Sequence, residues 1–350
     1  MHATTATLSA PNVGILATLL HRGRLPFRQS SGTSGSASPG LAPSSEAVAQ
    51  AWQLGAQISG LVEEGRPAAT LLSGDQLARR LGQGLDFELL RAYQPGEPAS
   101  LIDWRISARA QEPMVRVFRE PAQRQCHLVI DTSASMQFGT RQQLKITQAL
   151  TVAHLLCAAA LRQGMSVALH APALPQRPSD YPSTSRTTLM QHLAALAEWA
   201  ESQDTTQTAG GDWIGFRQRL QSCLPEGQLV IVISDFLTDL VDEHGPLAWL
   251  PLAQRQHVLF IQIADPAEQQ LPDLGAVVFA AQPPRQVDTH RPAERERLAQ
   301  LFAVRQRGLR DAAQAFGGWH ALLLTNQSVA ELTQLIARAQ SGMTADAPPP

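Results

Sequence analysis

Hydrophobic positions along this chain follow two periods that alternate. The run HLVIDTS (127–133) is apolar and closes on small polar residues, as a strand buried on both faces does. Residues 141–163 are apolar on nearly every side of a helical projection, with Leu144, Leu150, Ala153, Leu156, Ala160 and Leu161, so this helix is covered on more than one side. SVALHA (166–171) reads as the next strand, followed by helices over 187–201 and 213–223. QLVIVISD (228–235) is a second fully apolar strand, then a helix over 246–255 and the strand HVLFIQIAD (257–265). A β-like segment at 276–288, a long helix at 292–316, the strand HALLLT (320–325) and a helix at 328–340 complete the series. Strands alternating with helices predict an α/β fold: a doubly wound, mostly parallel sheet with helices on both faces.

The N-terminal third reads differently. Val13–Leu20 fits one short helix, residues 29–45 are a Ser/Gly/Pro linker, and 46–64 fit a helix with Val48, Trp52, Ile58 and Val62 among its apolar positions. A β-rich stretch occupies 75–124. The division this predicts is a flexible leader and linker at 1–45, a helix and β-rich extension at 46–124, the α/β domain at 125–340, and a disordered tail at 341–350 ending in three prolines.

Composition narrows the function classes. With a formal net charge of −2 over 350 residues, no long-range field steers the molecule to nucleic acid or an anionic membrane. No apolar stretch reaches the roughly 20 residues a bilayer span needs, and the Ala/Ser/Thr-rich start, with Glu46 as its first acid, lacks the basic region of a secretory signal. A cytoplasmic location is expected. Cys126, Cys157 and Cys223 are odd in number and widely spaced, so buried free thiols are expected rather than a zinc or redox motif. His127, His154 and His170 lie in apolar segments and read as core residues. Of the 28 basic residues, Lys145 is the only lysine, which reads as the codon bias of a GC-rich genome. No G-x-x-x-x-G-K-[ST], H-E-x-x-H or G-x-S-x-G occurs, which removes the common phosphate-loop, zinc-protease and hydrolase signatures.

Candidate chemistry sits where strands end. In open α/β sheets ligands bind at the carboxyl ends of strands, where strand order reverses. Two of the buried strands that could neighbour each other end in Asp131 and Asp235, and Asp131 opens D-T-S-A-S, which adds Ser133 and Ser135. Two carboxylates and two hydroxyls are hard oxygen donors suited to Mg²⁺ or Mn²⁺. The plainer explanation for an Asp followed by Ser after a strand is a cap on the next helix.

The D-x-S-x-S pattern with a later strand-end Asp resembles the metal-ion-dependent adhesion site of von Willebrand factor type A domains. GLDFELLRAYQPGE (84–97), IDWRISAR (102–109) and VRVFRE (115–120), with Asp265-Pro266 and Leu271-Pro272 further on, resemble the bacterial family called domain of unknown function 58 over roughly residues 75–340. The resemblance implies a von Willebrand A-like domain at 125–340 and a chaperone-like adaptor that works beside an AAA+ ATPase of the MoxR class or its client. It also implies a further metal ligand from a second loop, usually a Thr after Gly-Gly. Here Gly210-Gly211 is followed by Asp212, with Thr208 earlier, so Asp212 and Thr208 are the candidates. Glu97 stands where the family often has Asp.

The function expected on these grounds is metal-dependent protein–protein interaction without catalysis. One alternative is a Mg²⁺-dependent phosphatase or phosphotransferase. A strand-end Asp with Mg²⁺ can form an aspartyl phosphate. The haloacid-dehalogenase type has a second Asp two residues on, where Ser133 stands here, and a supporting lysine, whereas Lys145 falls on a helix. The other alternative is a metal-free structural scaffold. The Arg- and Asp-rich stretch 84–120 is either a partner surface or an internal ion-pair network, the latter favoured for Asp103 and Arg109; its interleaved acids argue against nucleic acid.

Overall fold

A computed structural model describes residues 41–58, 60–61, 87–93, 102–110, 112–118, 124–140, 142–172, 181–202, 212–237, 245–279 and 285–340. The expected leader helix at Val13–Leu20, Val62, and the tail lie outside the described residues. The chain divides into two units, one within Leu71–Gln123 and the other formed by the rest.

In the smaller unit, β1 (Phe87–Ala92) pairs antiparallel with β2 (Met114–Phe118). Between them runs a short helix, α2 (Trp104–Ala110), which the β-rich expectation missed. Asp103 starts it, its Oδ1 accepting from the backbone N–H of Arg105 and of Ile106 at 3.0 Å each. This is the ordinary use of an Asp ahead of a first helical turn.

The larger unit is built on five parallel strands: β3 (Gln125–Ile130), β4 (Ser166–His170), β5 (Leu229–Ser234), β6 (His257–Ala264) and β9 (His320–Leu324), in the order β4-β3-β5-β6-β9. Every residue of β4 and β5 is buried. That explains why their sequences are continuous apolar runs rather than alternating ones. Alternate residues serve opposite faces. Leu128 and Ile130 join one core with α1 (Ser45–Gly55), α3 (Lys145–Arg162), α4 (Arg186–Ser202) and α9 (Val329–Gln340). Val129 joins the other, with α5 (Trp213–Cys223), the short α6 (Leu250–Ala253) and α8 (Pro292–Ala315). Helices therefore flank the sheet on both faces. A four-residue helix α7 (Pro266–Gln269) follows β6, and an antiparallel hairpin of β7 (Ala276–Phe279) and β8 (Arg285–Asp288) precedes α8.

Helix α1 packs on α3. Ser44 caps it, its Oγ accepting from the Ala47 N–H. Trp52 Nε1 donates to His154 Nδ1 at 3.1 Å. Gly55 allows the close crossing: a Cβ there would lie 2.1 Å from the Leu155 carbonyl oxygen. α3 is thus covered by the sheet below and α1 above, which accounts for its apolar circumference.

Candidate functional site

The chain leaves β3 for β4 on one side and later returns as β5 on the other. β3 and β5 thus flank the point where strand order reverses, the usual crevice of such sheets. Ile130 pairs with Ile233, and the Asp131 N–H continues the ladder to the Ile233 carbonyl at 2.9 Å. Asp131 and Asp235 therefore emerge from neighbouring strand ends, and both are 1% exposed.

Asp131 is buried with few donors. Its Oδ1 accepts from the Ser133 N–H at 2.9 Å and its Oδ2 from the Ser234 hydroxyl at 2.6 Å. Burial, and next the negative charge of Asp235, push its pKa up to about 6. The Ser133 and Ser135 hydroxyls lie 3.0 Å apart, both buried. Thr132 Oγ1 is buried with no hydrogen-bond partner among the described residues. The 131–135 loop therefore gathers several side-chain oxygens, of which Thr132 Oγ1 alone has no partner among the described residues.

What holds this loop lies further along it. Gly139 sits where a Cβ would meet the Gln143 carbonyl oxygen at 2.3 Å, so the loop closes tightly there. Thr140 next to it gives both its N–H (2.8 Å) and its hydroxyl to Asp265 at the end of β6. Asp265 also accepts from the Thr325 hydroxyl after β9 at 2.9 Å and from the Ala267 N–H at 2.9 Å, and forms a capping box with Glu268. On the other side Gln137 Nε2 donates to the Ala200 carbonyl of α4 at 3.0 Å.

Lys145 joins the strand ends. Its side chain is completely buried, and its Nζ lies 2.6 Å from Asp235 Oδ2 and 2.6 Å from Glu268 Oε1. Burial alone would lower its pKa; the two carboxylates more than offset this and raise it. Burial raises Glu268 against the pull of Lys145. Asp235 Oδ1 accepts from the Leu237 N–H at 3.0 Å, and Ser234 Oγ accepts from the Phe236 N–H at 2.9 Å. These two bonds hold the turn in which Phe236 adopts φ 54°, a left-handed conformation that a bulky residue rarely takes. Arg305 on α8 carries a charge felt by Glu268 and Asp235, while its buried Nε and Nη2 have no hydrogen-bond partner among the described residues.

A family model described as "Protein of unknown function DUF58" matches residues 89–308. The chain belongs to the DUF58 family. Among its curated relatives, the uncharacterized proteins Rv1480 of Mycobacterium tuberculosis and Mb1516 of Mycobacterium bovis are each 28% identical over 217 residues. Each of these matches takes in 60% of this chain and 64% of the relative. A solved structure titled as an uncharacterized membrane spanning protein from Vibrio fischeri aligns with 62% of this chain and 98% of its own at 16% identity. Its TM-score of 0.18 carries no conclusion about fold. No helix among the described residues is long and apolar enough to cross a membrane.

In this DUF58 chain the structure brings together Asp131, Ser133, Ser135 and Asp235, the four residues singled out at the strand ends. Asp212 is elsewhere engaged: it is exposed and caps α5, its Oδ1 accepting from the Gly215 N–H at 2.8 Å. Thr208 lies outside the described residues. Among the described residues no three His, Cys, Asp or Glu side chains form a metal-holding group. Any cation here would rest on one free carboxylate and the serine hydroxyls.

One expectation needs correction. Cys223 is exposed rather than buried, because it ends α5 on the solvent side; Cys126 and Cys157 are buried. His127, His154 and His170 are buried, as their apolar segments imply; His127 and His170 bond each other through Nδ1 and Nε2 at 3.0 Å, while His127 Nε2 has no partner among the described residues.

Sequence reasoning missed Lys145, Asp265, Glu268 and Thr140 as parts of the site. Two signals were present. Lys145 is the one lysine in a chain that otherwise uses arginine, and D-P-A-E at 265–268 is a capping-box spacing directly after a strand.

Proposed function

We propose that this DUF58 chain is a binding module on a von Willebrand A-like domain rather than an enzyme. It uses Mg²⁺ or Mn²⁺ held by Asp131, Ser133 and Ser135 to engage a carboxylate of a protein partner, a MoxR-type AAA+ ATPase or its client. The observation that carries this reading is the state of Asp131. It is a buried carboxylate with no cationic partner among the described residues, displaced up to about pKa 6, beside two paired serine hydroxyls at the strand-order reversal. A hard divalent ion relieves that uncompensated charge, and with so few protein ligands it keeps much of its water shell. That shell supplies positions a partner's carboxylate can take.

Calorimetric titration with Mg²⁺ and Mn²⁺ tests the reading. Saturable binding is expected in the wild type and is lost in Asp131→Ala. A purified MoxR-type ATPase is expected to be retained on the immobilised chain with Mg²⁺ and released by chelator. Wild-type protein that takes up neither ion sinks the reading.

One observation favours the phosphatase alternative: Lys145 does stand beside a strand-end carboxylate, Asp235. Its ammonium is nevertheless fully enclosed by Asp235 and Glu268, away from any incoming phosphate. Phosphomonoester turnover that disappears in Asp131→Ala would promote that alternative over binding.

A further inference from the structure

Lys145 sits at the first position of α3, with its backbone N–H bonded to the Phe138 carbonyl at 2.9 Å, which fixes where the side chain enters the strand-end cluster. Its Nζ meets two acids that approach from different elements: Asp235 from the end of β5 and Glu268 from α7. The neighbouring Asp131 carboxylate has no cationic partner among the described residues; the Ser133 N–H and the Ser234 hydroxyl donate to it, and the Ser133 side chain also favours its charged form. A compact, fully buried ammonium with three rotatable donors serves both carboxylates at once here. This supplies a reason for a lysine at the one position where the chain does not use arginine.

We propose that Lys145 is the resident cation of the strand-end site: by holding Asp235 and Glu268 in ion pairs, it withdraws Asp235 from the ligand set and leaves Asp131 as the single carboxylate offered to a divalent ion. Lys145 is thus a positioning residue. It sets the charge of the site at one free carboxylate, and so keeps divalent affinity low. Affinity at oxygen sites follows the number of charged ligands. Releasing Asp235 therefore tightens cation binding without any change to Asp131, Ser133 or Ser135. The inference rests on the metal-binding reading above, but its test can fail separately.

The experiment compares Mn²⁺ affinity, by calorimetry and by the electron paramagnetic resonance signal of free Mn²⁺, in three proteins. They are the wild type, Lys145→Met/Glu268→Gln, and the triple variant that adds Asp235→Asn. Glu268→Gln removes the second acid that Lys145 serves, so the double variant carries one freed carboxylate, Asp235, beside Asp131. The double variant is expected to bind Mn²⁺ at least about tenfold more tightly than wild type. The triple variant is expected to fall back to the wild-type value, because the gain runs through Asp235. If the double variant is unfolded without metal, recovery of a cooperative melt on adding Mn²⁺ is the readout of the same gain.

A double variant that folds yet binds no more tightly than wild type overturns the proposal and leaves the metal reading standing. A gain that persists in the triple variant also overturns it, since Asp235 is then not the source. Binding by the double variant alone, with none in wild type, supports the proposal while removing the metal reading for the native chain: Lys145 then takes the ion's place outright. Absence of binding in all three proteins overturns both.

Discussion

Two aspartates end parallel strands of the same sheet, both out of reach of water, and the protein treats them oppositely. Asp265, at the end of β6, accepts from Thr140 twice, from Thr325 and from Ala267. It ties together the ends of β6 and β9 and the loop after β3. Asp131, at the end of β3, receives the Ser133 N–H and the Ser234 hydroxyl, with the Ser133 side chain also favouring its charged form. It has no cationic partner among the described residues and sits beside the charge of Asp235. Burying a carboxylate is tolerable when its lone pairs are filled with donors, and costly when they are not. The filled site belongs to the architecture. The unfilled one is maintained against its own stability, which is where function is sought.

Matched substitutions sharpen this contrast. Asp265→Asn takes away acceptor capacity from buried donors on three segments, and is expected to cost about 2–4 kcal/mol of unfolding free energy. Urea denaturation at pH 7.5 measures it. Asp131→Asn should do the reverse. A folded-state pKa of about 6 against the unfolded 3.8 means the ionised side chain is penalised above pH 4, so the neutral amide is expected to gain about 1–3 kcal/mol at pH 7.5. Equal losses in the two variants would erase the distinction.

The pH profile carries the same signature with smaller amplitude. Burial lowers His127 to about pKa 3, with His170 adding to the effect, and lowers His154 to about 4, with Arg186 adding. Groups whose folded pKa is depressed below 6.5 contribute stability that is present above pH 6.5 and lost as pH falls toward those folded values. Between pH 7.5 and 5.5 the two together remove about 3 kcal/mol. Asp131, shifted upward, works the other way: its penalty shrinks as pH falls through about 6, returning about 1 kcal/mol over that range. Loss of stability on acidification is therefore expected to be steeper in Asp131→Asn than in wild type. A shallower slope in the variant contradicts the assigned direction.

The sheet and the pairing of Asp131 with Asp235 were legible because both follow from local pattern. Continuous apolar runs predict buried parallel strands, and three of them close on an aspartate, Asp131, Asp235 and Asp265. What was not legible depends on long-range closure. Nothing local ties Thr140 to Asp265 across 125 residues, or Lys145 to Glu268 across 123. The lone lysine is visible in the sequence, where it reads as base composition; only its burial between two acids gives it a role. The helix Trp104–Ala110 was hidden between two strand-like runs, although Asp103 before it carries the cap.

The smallest expected effect concerns the loop that the family resemblance offered as a ligand source. Asp212 caps α5, so Asp212→Thr, which keeps a capping oxygen, should change stability by about 1 kcal/mol or less and leave Mg²⁺ affinity where it was. A marked drop in affinity would return Asp212 to the ligand set.

The central claim is that Asp131 is held ready for a cation and not for the fold. Thermal melts of wild type, Asp131→Asn and Asp265→Asn, with and without millimolar Mg²⁺ at pH 7.5, test it most directly. Mg²⁺ is expected to raise the wild-type melting temperature by mass action. Asp131→Asn should melt higher than metal-free wild type and show no response to Mg²⁺, whereas Asp265→Asn should melt lower and keep the response. An Asp131→Asn protein that melts below wild type and is still stabilised by Mg²⁺ would contradict the account.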